Sequence, residues 1–342
     1  MIRKIIFLSV LLFPMVGFGQ DPVFSQFFST PLQLNPAFAG VTYAPRITLN
    51  YRNQYPNWPN AYATYAATYE QSVEALNSGF GLIVLSDAAG DKLYKSTRIS
   101  GVFGYKVRIK REHVIKFGVQ AGIIQSYIDW DRLVFPDQLD EIYGETDSGG
   151  NPIISEENRP ESLNKITPDI SAGIMYYSPD FHIGLSVKHL NSPDESLLQI
   201  NNNLQAGLPL RFTVHGGFEI TLDQGNNSRP PTFISPNLMF VKQGDFGQIN
   251  GGVYAGMRQF FGGLWYRHTF SNPDAVIALV GYRVGVLRFG YSYDLTISNL
   301  ASAPGGTGGT HEISLSFNFE DSKEFKRKKA AMRSTDCFNF LN

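Results

Sequence analysis

Six histidines are the first candidates for chemistry, because an imidazole beside a nucleophile or a metal ion is a common catalytic arrangement. None of them lies in a His-Glu-x-x-His pattern, and the sequence contains neither a Gly-x-Ser-x-Gly nor a Walker pattern. The sequence therefore predicts no catalytic residue, no cofactor and no metal site, and we expect a protein that is not an enzyme. A triad assembled from distant residues stays open as the alternative. The histidines are His113, His182, His189, His215, His268 and His311.

An acidic stretch from Asp137 to Asp147 offers carboxylate oxygens, which are the ligands that calcium prefers. It also contains Asp140, Glu141 and Glu145. The spacing of these residues is not that of an EF-hand loop. We therefore interpret the stretch as a solvated loop, with a calcium site as the alternative.

The composition is rich in aromatic residues and poor in charge. Aromatic residues make up 13% and charged residues 17% of the 342 residues, whereas typical soluble domains contain about 25% charged residues. The formal net charge is −1, and removal of Arg3 and Lys4 makes it two units more negative, so nucleic acid is not an expected partner. The only cysteine, Cys337, has no partner for an internal disulfide.

The first residues have the pattern of a secretory signal peptide. An apolar run over residues 5–18 follows a basic start, and Gly17 and Gly19 place small residues at the −3 and −1 positions before Gln20. This run is too short for a spanning helix, which needs about 20 residues. We expect residues 1–19 to be a cleaved signal peptide, and no later stretch is apolar enough for a transmembrane helix. A membrane location would therefore require strands.

From about residue 45 onward, apolar residues alternate with polar or small ones, which is the pattern of β-strands. In the clearest segments Phe289, Tyr291 and Tyr293, and then Ile313 and Leu315, lie on one face. The sequence predicts an all-β fold, a single transmembrane antiparallel β-barrel of about 14 strands. A soluble sandwich or propeller is the alternative, but no blade-like repeat is present. The predicted strands are 45–55, 61–72, 79–87, 93–109, 113–127, 168–178, 181–190, 209–222, 232–243, 246–256, 259–269, 274–283, 285–295 and 310–319.

The connections between these strands alternate in length, as expected if short periplasmic turns alternate with longer outer loops. The connection at 223–231 is an exception. Together, the signal-peptide pattern and the predicted strands divide the chain into four parts. They are a signal peptide (1–19), an N-terminal periplasmic or plug-like segment (20–44), the barrel (45–319) and a basic C-terminal periplasmic tail (320–342). We expect both mature termini to be periplasmic. The longer connections are 54–60, 87–92, 129–167, 191–208 and 296–309.

Five basic residues fall on the polar faces of the predicted strands and are candidates for the lumen. They would favour anions in an open channel, or they would pair with carboxylates across the barrel, and the sequence does not separate these alternatives. The residues are Lys188, Arg211, Arg267, Arg283 and Arg288.

Three local patterns resemble the PorP/SprF family of type IX secretion system membrane proteins from Bacteroidota. One is the start of the mature chain at residues 20–27. The other two contain the residues that we predict to have a family-specific or partner-binding role, and Phe38 and Tyr55 replace the aromatic residues more usual in the family. The candidates are Asn35, Pro36, Ala37, Phe38, Ala39 and Gly40 in the second pattern, and Tyr51, Arg52 and Gln54 in the third.

This resemblance implies a non-enzymatic barrel in the outer membrane that captures or anchors a secreted, adhesin-like surface protein, with recognition by the loops at 129–167 and 191–208 or by the lumen. It also implies other type IX secretion components and outer-membrane lipid as partners. A structural component of the secretion or gliding apparatus, in contact with periplasmic subunits, is the first alternative, and a passive porin is the second. A turn that seats the N-terminal segment is the plainer interpretation of Asn35–Gly40.

Overall fold

The computed structural model describes residues 21–58, 62–110, 112–160, 162–197, 207–224 and 231–322. The predicted signal peptide and most of the predicted basic tail lie outside these residues. Fifteen strand segments account for most of the described chain. They are β1 (Arg46–Gln54), β2 (Tyr62–Val73), β3 (Ser78–Ala89), β4 (Tyr94–Lys110), β5 (His113–Ile128), β6 (Asn164–Tyr177), β7 (Phe181–Lys188), β8 (Arg211–Phe218), β9 (Ile220–Asp223), β10 (Thr232–Gln243), β11 (Phe246–Met257), β12 (Phe260–Thr269), β13 (Pro273–Val284), β14 (Leu287–Thr296) and β15 (Thr310–Asn318).

These segments form one antiparallel sheet in which each strand pairs with its neighbours in sequence. The sheet closes because β1 pairs with β15, from Arg46 opposite Asn318 to Gln54 opposite Thr310. Both β8 and β9 pair with β10, so they are two parts of one barrel strand. The result is a closed barrel of 14 strands, as predicted.

The barrel has an apolar outer surface and a polar interior. Along β1, Thr48 and Asn50 are 2% and 5% exposed, whereas Leu49 between them is 44% exposed. An apolar exterior suits lipid, and closure leaves no backbone edge unpaired in the hydrocarbon. The predicted transmembrane barrel is therefore confirmed, and a soluble sandwich, whose apolar faces would pack together, is excluded.

The two ends of the barrel differ in their connections. One end, the loop-bearing end, carries the long connections at 129–163, 189–210 and 297–309. The other end, the tight-turn end, carries two-residue turns such as 285–286. The predicted alternation holds apart from the longer connection at 224–231 at the tight-turn end, and short turns at 244–245 and 270–272 at the loop-bearing end.

The helices of the described residues are single turns, among them Pro31–Leu34 and Pro36–Phe38. None of the described helices has the length and apolar character needed to span a membrane.

Candidate functional site in the barrel lumen

Residues 21–44, here called the lumen segment, lie inside the barrel. The Asp21 amide donates to Oε1 of Gln243, the last residue of β10 at the loop-bearing end, at 3.1 Å. The segment reaches the tight-turn end at Gly40, which lies against Gly79, and Arg46 then begins β1. Asp21 and Asn318 thus lie toward opposite ends of the barrel. The expectation that both mature termini are periplasmic stays a prediction.

Asn35 is the centre of the hydrogen bonds that hold the middle of the lumen segment. Its Oδ1 accepts from the Ala37 amide at 2.9 Å, and this contact caps the helical turn Pro36–Phe38. Its Nδ2 donates to the carbonyl oxygens of Ile174 and Leu185 at 3.1 and 3.2 Å. Because a fully buried amide needs such partners, this side chain fixes the segment to β6 and β7.

Glycines of the barrel wall let the lumen segment approach the strands closely. A Cβ atom on Gly118 would lie 2.2 Å from the backbone nitrogen of Ala37. A Cβ atom on Gly79 would lie 2.4 Å from Cα of Gly40. Gly40 itself has a φ of +68°, a conformation that side chains disfavour. The small residues on both sides are therefore required by the packing.

Charged residues hold the C-terminal part of the lumen segment. Lys116 Nζ donates to the Ala39 carbonyl oxygen at 2.6 Å. The Gly40 amide donates to Glu70 Oε2 at 3.3 Å, and Glu70 also forms a buried ion pair with Arg46. These contacts connect the segment to β2 and β5 near the tight-turn end.

A buried ionic network joins the N-terminal part of the lumen segment to β1, β12, β14 and β15. Arg52 pairs with Glu312, whose Oε1 also accepts from the Ser25 amide at 2.7 Å. The Ser25 hydroxyl donates to Asp294 Oδ2 at 2.5 Å, and Arg267 NH1 lies 2.8 Å from the same oxygen. The two cations and two carboxylates have almost no solvent exposure, and Arg267 also pairs with a third, less buried carboxylate on β13. Loss of the Arg52 side chain would leave the Glu312 carboxylate buried without its cation.

The structure separates the predicted site residues into two groups. Asn35–Gly40 and Arg52 face the lumen, where they contact the lumen segment or belong to it. Tyr51, which alternates with Arg52 along β1, lies on the other face, with its ring 4.9 Å from that of Tyr65. Gln54 accepts from Arg52 NH2 at 3.3 Å at the end of the strand.

Sequence reasoning missed a third cluster, which surrounds Asp21. Its carboxylate lies 2.6 Å from Arg98 NH1 and 3.3 Å from Arg211 NH1. His189 lies between two carboxylates, with Nε2 2.7 Å from Asp21 and Nδ1 2.9 Å from Asp169. An alternating strand pattern places Arg98 and Arg211 on the lumen face, but their partner follows the predicted cleavage site and gives no comparable signal.

The ionic cluster changes the protonation of its two members that lie outside the strands. Burial opposes ionisation of Asp21, but the nearby charges of Arg98 and His189 outweigh it and hold the pKa of this carboxyl well below its usual value. Burial likewise disfavours a charged His189, but Asp21 and the hydrogen bond to Asp169 outweigh burial and raise the imidazole pKa. Both groups are therefore stabilised in their charged forms.

Two of the five predicted lumen cations form ion pairs there, Arg211 with Asp21 of the lumen segment and Arg267 with Asp294 of β14. In the acidic loop, Asp140 accepts from the amides of Ile142 and Tyr143 at 2.8 and 2.9 Å, so this carboxylate shapes the loop. Among the described residues, no group of three His, Cys, Asp or Glu side chains could hold a metal ion.

A sequence model of the family described as type IX secretion system membrane protein PorP/SprF matches residues 16–317. No curated protein gives a significant match. Among solved structures, Omp33 of Acinetobacter baumannii is 9% identical with a TM-score of 0.44, and the match covers 82% of this chain and 100% of that one. The toluene transporter TodX of Pseudomonas putida is 8% identical with a TM-score of 0.42, over 88% of this chain and 94% of that one. These likenesses carry no functional argument.

Proposed function

The chain belongs to the PorP/SprF family of type IX secretion system membrane proteins, and from this premise we propose that it captures or anchors a secreted, adhesin-like surface protein at the outer membrane. It acts without catalysis, as a rigid frame that presents a binding surface. The family and the barrel fold are those of membrane proteins in secretion. That this barrel captures one particular surface protein is our proposal.

The occupied lumen is the observation that carries this proposal. Three sets of buried contacts hold the lumen segment along its length: those of Asp21, those of Ser25 with Glu312 and Arg52, and those of Asn35. A passive porin requires a continuous aqueous path, and these contacts place protein across it. Recognition then falls to the loop-bearing end of the barrel.

The loop-bearing end offers a binding surface. The connection at 129–163 is the longest one between described strands, and it exposes apolar side chains, with Ile142 at 82% and Ile154 at 87% exposure. Exposed apolar groups framed by charged residues are typical of protein-binding surfaces. In our proposal this end faces the cell exterior, and the tight-turn end with the C-terminal tail faces the periplasm.

The motif residues Asn35–Gly40 act in this proposal by closing the lumen, not by touching the cargo. Their backbone and side chains contact only the barrel wall and one another in the contacts described above. A lumen filled by this segment makes the barrel rigid, and the rigid barrel holds the outer loops in position. Other type IX components remain partners at the periplasmic end.

Deletion of the gene distinguishes the proposal from its two alternatives. Capture predicts that one surface protein is released to the medium or lost, while the secretion of other type IX substrates continues. A structural role in the secretion or gliding apparatus predicts a general secretion defect. A porin predicts altered permeability and no change in surface proteins. Quantitative mass spectrometry of the surface and medium fractions, with complementation as control, separates these results.

A further inference from the structure

A small, partly open cavity of about 40 Å³ lies in the lumen toward the loop-bearing end, beside Asp21. Its lining combines apolar side chains, such as Phe24 and Leu85, with charged ones. The ionisable groups are three basic side chains, two carboxylates and one imidazole. They are Arg98, Lys188, Arg211, Asp21, Asp169 and His189.

The basic side chains in this lining outnumber its carboxylates. Asp21 is shared by Arg98, Arg211 and His189, and Asp169 pairs with His189. Beyond the lining, Glu195 approaches Arg98 only to 4.0 Å. Apart from the imidazole, the lining therefore contains one more basic side chain than it has carboxylates.

Lys188 is the cation that remains. In the part of the chain that the structure describes, its ammonium group forms no hydrogen bond or ion pair. Lys188 lies directly opposite Arg211 in the pairing of β7 with β8, and two like charges at such a position repel each other. The Nε atoms of Arg98 and Arg211 are also buried without a hydrogen-bond partner among the described residues. Several donors around one cavity thus lack an acceptor.

The geometry points to a carboxylate-binding site in this cavity, in which Lys188 and the two arginines receive a carboxylate presented by the captured protein. An acidic side chain or a chain terminus supplies such a group, and the apolar part of the lining accommodates the atoms that carry it. A carboxylate between Lys188 and Arg211 would satisfy free donors and relieve their repulsion. This inference rests on the proposed function, because it assigns the anion to the captured protein.

A small probe tests the site without the cargo. Glyoxylate carries a carboxylate next to an aldehyde that reacts with lysine, and cyanoborohydride fixes the product, whereas glycolaldehyde is a similar but uncharged aldehyde. The purified full-length barrel in detergent is treated with each, and modified lysines are identified by mass spectrometry. Lys165 is the internal control, because it is near the same end but already pairs with Asp194 at 2.7 Å.

A carboxylate site predicts that glyoxylate modifies Lys188 about 10- to 100-fold faster than glycolaldehyde does, the range expected of a charge-assisted hydrogen bond. Lys165 should show a much smaller preference, and acetate should slow the glyoxylate reaction at Lys188 more than chloride at equal ionic strength does. Equal preferences at both lysines, or no protection by acetate, would overturn the site.

Substitutions of Lys188 test whether the site binds the captured protein. Lys188→Met removes the charge and keeps the apolar stem, so the barrel should fold normally, as judged by its heat-modifiable migration in gels. We expect it to retain about tenfold less cargo, whereas Lys188→Arg and the control Lys165→Met retain the normal amount. Protection by acetate with unchanged cargo retention in Lys188→Met would overturn the link to the captured protein. Absence of cargo on the unmodified barrel would instead count against the proposed function, whatever the probe shows.

Discussion

The side-chain nitrogen of Asn35 lies 3.1 Å from Nε2 of His215, a residue 180 positions later in the chain. His215 also stacks on Phe38, with ring centroids 5.2 Å apart. One barrel histidine therefore contacts both ends of the helical turn at Pro36–Phe38. This histidine therefore holds the lumen segment against β8.

Replacement of Asn35 by alanine should open the lumen and weaken the fold. The change removes the side chain that caps the turn and leaves the Ala37 amide without its hydrogen-bond acceptor. These two losses together should lower the free energy of unfolding by about 1–3 kcal/mol. Urea unfolding in lipid vesicles measures the stability, and conductance across planar bilayers should rise. Asn53→Ala, on the same chain but without a hydrogen bond to the lumen segment, is the control. Equal conductance of the two variants would contradict the role of Asn35.

Gly118→Ala should displace the lumen segment without touching its sequence. The added methyl group would lie 2.2 Å from the Ala37 backbone nitrogen, and such overpacking costs about 1–3 kcal/mol. Faster hydrogen exchange across residues 21–44 is the expected result. Gly101→Ala is the matched control, because the nearest atom to its Cβ is 4.0 Å away. Unchanged exchange in Gly118→Ala would show that the segment does not pack as described.

The buried pair of Arg52 and Glu312 should behave non-additively. Arg52→Met leaves Glu312 buried without its cation and should cost about 3–5 kcal/mol. In the double variant with Glu312→Gln the cost should be smaller than the sum of the two single changes, as measured in a double-mutant cycle. Arg132→Met removes an exposed ion pair with Asp91 at 2.7 Å and should cost under about 1 kcal/mol. Simple additivity would refute the coupling.

The attachment of Asp21 should depend on pH. The pKa of His189 is raised above its ordinary 6.5, so its contribution is complete below about pH 6.5 and is lost as the pH rises through the raised value. The pKa of Asp21 is lowered below its ordinary 3.8, so its contribution is complete above that pH and is lost only as the pH falls through the lowered value. We expect slower hydrogen exchange near Asp21 at pH 5.5 than at pH 9, after correction for the intrinsic rate. His189→Gln should remove most of this difference.

The strands were predictable because their pattern is local. Alternating residues such as those of β14 and β15 specify a face by their period of two, and the predicted segment at 246–256 lies close to β11 even though glycines weaken its pattern. The interruption at Glu219, between β8 and β9, was not predicted. An interruption of this kind depends on the pairing with neighbouring strands, which the sequence of one strand does not contain.

The position of the lumen segment was not predictable in the same way. Asp21 meets Arg98, His189 and Arg211, each at least 77 residues away, and no local pattern connects them. The glycines at positions 79 and 118 carried a signal, because glycine on a polar strand face indicates close approach of another backbone. That signal does not identify the approaching segment, which is why an open and an occupied lumen were both compatible with the sequence.

The most direct test of the central claim is quantitative affinity purification of the tagged barrel from outer membranes in mild detergent. The account predicts one large type IX substrate in nearly equal amount, lost when Ile142 and Ile154 at the loop-bearing end are both changed to serine. It should be kept in Leu76→Ser, an equally drastic change of a 61% exposed leucine at the tight-turn end. Recovery of the barrel alone, or of periplasmic subunits in place of a surface protein, would contradict it, as would a bound protein that the loop variants retain.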